Sequence, residues 1–128
     1  NDPGTAFAIL SRQQRLLTIW SQALAEAGRE RDAGEAPDIS DRVAAPALAA
    51  DDLFDDAFAP LAHDGAARVE VALRLQHSLA ALAARDTAGF AEAALKVSRR
   101  GQALAHHALV LDTDRGRIDQ AAEQVRPE

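Results

Sequence analysis

At 128 residues the chain is long enough for one domain with a single hydrophobic core. Hydrophobic residues make up 48% of it but aromatic residues only 4%, a balance that favours closely packed helices over strands. The absence of cysteine excludes disulfides and thiolate metal sites, and a net charge of -6 argues against nucleic-acid binding. We therefore expect an all-α fold, an irregular bundle of about four to five helices with one long loop after the first helix.

The first predicted helix runs from Pro3 to Ala27. Asp2 is placed to accept hydrogen bonds from the free N–H groups of the first turn, and a proline at the first helical position loses no hydrogen bond. Gly28 marks the expected end. Apolar residues recur at steps of three and four, and they are expected to form one inward stripe of Ala6, Ile9, Leu10, Leu16, Leu17, Trp20, Leu24 and Ala27.

Residues 28–50 show no helical period and contain two glycines and two prolines, so this stretch is predicted to be a long loop or linker. A second helix is expected from Asp51 to His63, with carboxylates in its first turn, where the helix dipole favours negative charge. Pro60 should kink or shorten that helix. Gly65 is expected to end it in a left-handed conformation.

Three further helices are expected. Residues 68–76 alternate apolar and polar like a strand, but the pattern continued to Ala84 fits a largely buried helix. A fourth helix is expected from Ala88 to Leu111. Gly101 interrupts it, and either lowers its stability by about 1 kcal/mol relative to alanine or marks the close approach of another backbone. A short fifth helix should cover Thr113 to Gln124.

The motif DDLFDD places Asp51 with Asp55, and Asp52 with Asp56, on common helix faces. Carboxylates one turn apart can hold a hard cation or share a proton, but the same residues also suit a helix N-terminus. No glycine-containing calcium loop surrounds them. We therefore predict no metal at this motif.

The four histidines do not predict a zinc site either. The adjacent His106 and His107 diverge by about 100° around a helix, and the other two stand singly. No nucleophile elbow, phosphate-binding loop or zinc-binding helix motif is present. The sequence therefore predicts no catalytic residue, no metal and no cofactor.

Polar side chains at the head of the first helix and at the end of the second would converge if these two ends meet. The candidate cluster comprises Asn1, Asp2, Thr5, Arg12, His63 and Asp64. It defines the alternative function, a ligand-binding or hydrolytic domain with a polar pocket near the start of the first helix.

Two stretches of the chain resemble a known family. NDPGTA is similar to the motif N-D-P-x-T-A, and LFDDAFAPLAHDGAARVEVALRLQHSLAALA resembles a segment that follows it. The family is that of the bacterial predicted membrane proteins of domain of unknown function 2254. The chain departs from its pattern at Gly4, where a larger residue is common, and at Ser11, where relatives often have aspartate. The shared positions are Asn1, Asp2, Pro3, Thr5, Ala6, Arg42, Ala45, Pro46, Ala57, Phe58 and Gly65.

This resemblance implies several transmembrane helices first and a soluble helical region after them. The chain contains no methionine, so we expect it to be a fragment of a larger membrane protein, with residues 1–128 forming one helical domain. The missing upstream part would anchor the domain in the membrane, on the cytoplasmic face. The family has no established activity, so the resemblance predicts a location rather than a reaction.

The leading hypothesis is an assembly, regulatory or sensing module with no catalytic activity of its own. Alanine-rich faces such as Ala80, Ala83 and Ala84 are expected to allow self-association into a homo-oligomer. Nucleic acid is not an expected partner, because the 14 basic residues are scattered among 20 acidic ones.

Overall fold

The computed structural model of the chain describes residues 3–30, 39–85 and 89–126. Every regular element within these ranges is a helix, so the prediction of an all-α bundle of four to five helices is confirmed. The helices are α1 (Pro3–Glu30), α2 (Ile39–Asp64), α3 (Val69–Ala83), α4 (Phe90–Ala108) and α5 (Asp112–Ala122).

The first two helices are longer than predicted. α1 continues through Gly28, and α2 begins at Ile39 instead of Asp51. The prediction of a loop over residues 28–50 is therefore wrong for residues 28–30, which belong to α1, and for residues 39–50, which belong to α2. Its remaining part, residues 31–38, lies outside the described residues.

Two prolines lie inside α2. Pro46 and Pro60 each lack an N–H donor, and an interior proline costs a helix about 3 kcal/mol. α2 nevertheless continues past both prolines to Asp64, so the prediction that Pro60 shortens the helix is wrong. The helix also contains eight alanines, the residue with the highest helix propensity, and buries Phe54 and Phe58 in the core. Propensity and packing together outweigh the two prolines.

α1 runs parallel to α3. Near the start of both helices the Arg74 guanidinium lies 5.7 Å from the centre of the Phe7 ring. Just beyond the end of α3, Arg85 Nε donates to Ser21 Oγ at 3.1 Å. α2 is antiparallel to both, because a short turn joins it to α3. The start of α1, the end of α2 and the start of α3 therefore lie at the same end of the bundle.

Aromatic rings hold the first, second and fourth helices together. Phe90, the first residue of α4, stacks on Trp20 of α1 with 5.4 Å between ring centroids. The same ring meets Phe54 of α2 edge-on at 5.1 Å. Such contacts stabilise a core beyond the area that they bury. The largest fully buried side chains include Phe54, Phe58, Phe90, Leu10, Leu75, Leu79, Leu82 and Ile118.

Gly65 follows α2 because there is no space for a side chain. A Cβ added there would overlap the Val71 side chain and lie 2.8 Å from the Leu61 carbonyl oxygen. The predicted left-handed conformation is wrong, since among the described residues only Gly89 has a positive φ, of 84°. At Gly101 a Cβ would lie 3.2 Å from a side-chain carbon of α3, so this glycine marks close packing by a side chain and not by a backbone.

Candidate functional site

Two residues of the predicted polar cluster stand on α1. Thr5 and Arg12 are both exposed there, whereas Asn1 and Asp2 lie outside the described residues. Thr5 and Arg12 share one side of the helix, but two turns, or about 10 Å, separate them. The start of α1 therefore does not gather these two side chains at one point.

The other two cluster residues, His63 and Asp64, end α2. His63 Nδ1 lies 3.2 Å from Asp64 Oδ1, and the two side chains are 77% and 63% exposed. Because the start of α1 and the end of α2 lie at the same end of the bundle, Thr5 shares this region with the pair. Among the four described cluster residues, the His63–Asp64 contact is the only polar contact. A ligand site at this end of the bundle stays a prediction.

The acidic motif of α2 forms ion pairs with α4. Asp51 Oδ2 lies 2.8 Å from Lys96 Nζ, and Asp55 Oδ1 lies 2.5 Å from Arg100 Nη1. Both pairs join residues 45 positions apart, so α2 runs parallel to α4. Since α2 begins at Ile39, these carboxylates lie within the helix, and their interpretation as a helix N-terminus is wrong.

A second polar group joins α4 to α5. The Asp119 carboxylate accepts a hydrogen bond from Gln102 Nε2 at 2.8 Å and contacts His106 Nε2 at 2.5 Å. Arg115 Nε donates to the His106 carbonyl oxygen at 3.1 Å. Burial raises the pKa of Asp119, but the hydrogen bonds from Gln102 and His106 and the charge of His106 lower it more. The pKa of Asp119 therefore lies below its ordinary value of 3.8.

An open groove of about 460 Å³ borders this polar group. Arg99 and Glu123 are exposed and bring opposite charges to it. Sequence reasoning does not find this site, although Gln102 and His106 lie four residues apart and so share one face of α4. Their partner on α5 depends on how the two helices pack. The groove is lined by Leu95, Ser98, Arg99, Gln102, Asp119, Ala122, Glu123 and Val125.

α1 carries an apolar surface outside the core. Ile9, Leu16 and Ile19 are 40%, 52% and 61% exposed. They recur along one side of the helix at steps of three and seven, and the exposed Arg12, Ala23 and Glu26 continue the same row. We call this row the outer face of α1, and it comprises Ile9, Arg12, Leu16, Ile19, Ala23 and Glu26.

This surface corrects the predicted inward stripe of the first helix. Leu10 and Leu17 are buried as predicted, whereas Ile9, Leu16 and Ala27 are exposed. α1 packs mainly against α3 and less extensively against α2, so its neighbours lie on one side of the helix. The buried arc of the helix is therefore narrower than its apolar arc.

The alanine surface predicted for self-association lies mostly inside the molecule. Ala83 is only 5% exposed and belongs to the core, and Ala80 is partly buried against it. Of the three alanines only Ala84 is exposed. The helix α3 buries this face against its own neighbours, so it is not free to bind a second copy.

Within the described ranges, no three histidine, aspartate or glutamate side chains come together closely enough to hold a metal ion. None of the helices in these ranges has the length and apolarity that crossing a membrane requires. The fold and its surfaces define the class of protein. It is an all-α bundle domain with interhelical ion pairs on its surface and an apolar row on its first helix.

The chain belongs to the family described as predicted membrane protein (DUF2254), whose sequence model matches residues 1–81. This confirms the resemblance that NDPGTA and the stretch from Leu53 to Ala83 indicate. The match includes α1 and α2, and with them the outer face of α1 and the acidic motif. No curated protein and no solved structure matches the chain.

Proposed function

We propose that the chain is a helical assembly module of a membrane protein, held outside the bilayer on the cytoplasmic side and without catalytic activity of its own. In this proposal residues 1–128 form one domain, which an upstream transmembrane region joins to the membrane. The family description supports the membrane setting. Of the three roles considered, assembly, regulation and sensing, the surface of α1 favours assembly.

The outer face of α1 is the observation that carries this proposal. Single exposed apolar residues are common on protein surfaces, whereas a contiguous apolar patch is typical of a site that binds another protein. Leu16 and Ile19 lie one turn apart and form the apolar centre of such a patch, and Ile9 lies two turns before Leu16 with the exposed Arg12 between them. The three apolar side chains span about 15 Å of helix. They are three of the six large hydrophobic residues that are exposed in the described part of the chain.

The charged side chains favour a binding role over a catalytic one. Asp51, Asp55 and Asp119 each contact a basic side chain of a neighbouring helix. These carboxylates thereby hold helices together at the surface of the bundle. General acid–base catalysis instead requires a group positioned to exchange a proton with a substrate.

The test is the assembly state of the full-length membrane protein that contains this chain. Leu16→Glu places a charge in the outer face, and we expect it to reduce the assembled fraction measured by crosslinking in native membranes. Leu53→Glu is the matched control, because Leu53 is 39% exposed but lies on α2. Unchanged crosslinking of the Leu16→Glu protein at normal abundance would exclude an assembly role for the outer face.

The cytoplasmic placement has a separate test. The chain contains no cysteine, so a cysteine introduced at the exposed Thr113 reports on access to this domain. We expect Thr113→Cys to resist a membrane-impermeant maleimide in intact cells and to react after permeabilisation, with the parental protein as the blank. Labelling of intact cells would place the domain on the opposite side of the membrane.

A further inference from the structure

Resting on the proposed function, we infer that the outer face of α1 binds the same face of a second copy of this chain. The two α1 helices pack antiparallel around a twofold axis that passes between Leu16 and Ile19. The partner is thus another molecule of the same protein, and the contact is a two-stranded coiled coil formed outside the core.

The spacing of the outer face supports a coiled coil. Its six residues alternate at steps of three and four over nearly three heptads, so they fall at the a and d positions of a helix that pairs along a seam. Three of them, Ile9, Leu16 and Ile19, are the large apolar side chains that such positions favour, and the other three are Arg12, Ala23 and Glu26. α1 is a continuous helix over this whole stretch, about 27 Å long. The a positions are Ile9, Leu16 and Ala23, and the d positions are Arg12, Ile19 and Glu26.

The charges in this row select the direction of pairing. In a parallel pair each d residue faces its own copy, so Arg12 would face Arg12 and Glu26 would face Glu26 inside the seam. In an antiparallel pair each a residue faces a d residue, which removes both like-charged layers. The layers of the antiparallel pair are Leu16 with Ile19, Arg12 with Ala23, and Ile9 with Glu26.

The antiparallel arrangement also brings opposite charges together. Arg12 lies across from the small Ala23, so its long side chain has room to reach Glu26 of the other copy, one turn further on. Within one chain Glu26 Oε2 already lies 2.5 Å from Arg29 Nη2. A carboxylate has two oxygens and accepts from two cations, so this contact is compatible with the second one.

The size of the surface predicts a weak dimer for the isolated chain. One pair of helices over this length buries less than the roughly 800 Å² per partner of a standard interface. We therefore expect a dissociation constant between about 10 µM and about 1 mM. Attachment to a membrane raises the effective concentration of the copies and favours the dimer there.

Sedimentation equilibrium of the 128-residue chain between about 5 µM and about 2 mM tests this inference. We expect the wild type to pass from monomer to dimer, and Ile19→Glu to weaken dimerisation at least about tenfold. Leu53→Glu, the matched control, should dimerise like the wild type, and circular dichroism checks that every variant is folded. A wild type that is monomeric throughout overturns the inference, while crosslinking of the full-length protein separately decides whether the outer face binds some other partner.

Exchange of charges tests the direction of the pair. In the antiparallel dimer Arg12→Glu and Glu26→Arg each bring like charges within one turn, so each should weaken association about threefold to tenfold at low salt. The double variant Arg12→Glu, Glu26→Arg restores opposite charges and should recover wild-type association. A parallel dimer would exchange one like-charged layer for another and would not respond to the single reversals. Single variants that associate like the wild type therefore overturn the antiparallel arrangement.

Discussion

Gln76 of α3 and Ser98 of α4 exchange two hydrogen bonds across a buried helix interface. Gln76 Nε2 donates to the Ser98 carbonyl oxygen at 3.0 Å, and Ser98 Oγ donates to Gln76 Oε1 at 2.5 Å. Both residues are 1% exposed. Because sliding one helix along the other would leave these groups buried without partners, the pair fixes the register of α3 against α4.

Ser98→Ala is expected to lower the free energy of unfolding by about 1–3 kcal/mol. The substitution leaves Gln76 Oε1 buried without its donor, and the desolvation of that oxygen is then uncompensated. Gln76→Leu combined with Ser98→Ala removes both polar side chains and should recover most of the loss. Urea denaturation measures both values. A double variant less stable than Ser98→Ala would contradict this explanation.

Two glycines are expected to respond to alanine in opposite directions. Gly65→Ala should destabilise the domain by about 1–3 kcal/mol, because its Cβ overlaps Val71 and the α2 backbone. Gly116 lies within α5, and a Cβ there would meet nothing within 4 Å. Gly116→Ala should therefore stabilise by about 0.5–1 kcal/mol through helix propensity. Thermal unfolding measures the change in stability of each variant. Equal changes for Gly65→Ala and Gly116→Ala would show that the space at Gly65 is not limiting.

Asp119 is expected to make the stability depend on pH in the acid range. Its pKa is lower in the folded state than the ordinary value of 3.8, so folding favours the carboxylate. The stabilisation is complete above that value and is lost as the pH falls through the lowered pKa of the folded state. Asp119→Asn should flatten the pH profile of the unfolding free energy below pH 3.8.

The same substitution should change stability little at neutral pH. The side chains of His106 and Asp119 are each 41% exposed, so solvent screens their contact, and we expect a loss below about 1 kcal/mol. Urea denaturation at several pH values gives both results. A variant with the acid profile of the wild type would show that another carboxylate carries the dependence.

Removal of the last two helices tests whether residues 1–128 form one domain. Leu75, Leu79 and Phe54 are at most 2% exposed, and they share one core with residues of α4. A chain ending after Ala84 uncovers that core, and we expect it to lose cooperative thermal unfolding. The full chain should unfold in a single transition by circular dichroism and by fluorescence. A cooperative melt of the shortened chain would assign the domain to the first three helices.

The sequence predicts the helices better than it predicts which helices pack against one another. The pattern of α3 is confirmed because most of its circumference is apolar and no other period fits over its length. The start of α2 is not predicted, because Pro46 resembles a helix breaker when the packing of Phe54 and Phe58 is unknown.

The surface sites depend even more on packing. Asp51 and Asp55 are recognisable as one helix face, but their partners on α4 follow only from the parallel alignment of the two helices. Gln76 and Ser98 look like ordinary polar residues until the register of α3 and α4 is known. The exposure of the outer face of α1 cannot be predicted from the sequence for a related reason. The apolar pattern of a helix does not show how many neighbouring helices pack against that helix.

The position of α1 in the bundle has a consequence for the order of folding. Ser21 and Arg85, which tie α1 to the end of α3, are 64 residues apart, whereas α3, α4 and α5 follow one another through short connections. Contacts between distant residues carry a larger loop-closure cost and form late. We expect α3, α4 and α5 to assemble first and α1 to dock last. Trp20, the only tryptophan, stacks on Phe90 when α1 docks. The change in its fluorescence during refolding therefore measures the rate at which α1 docks.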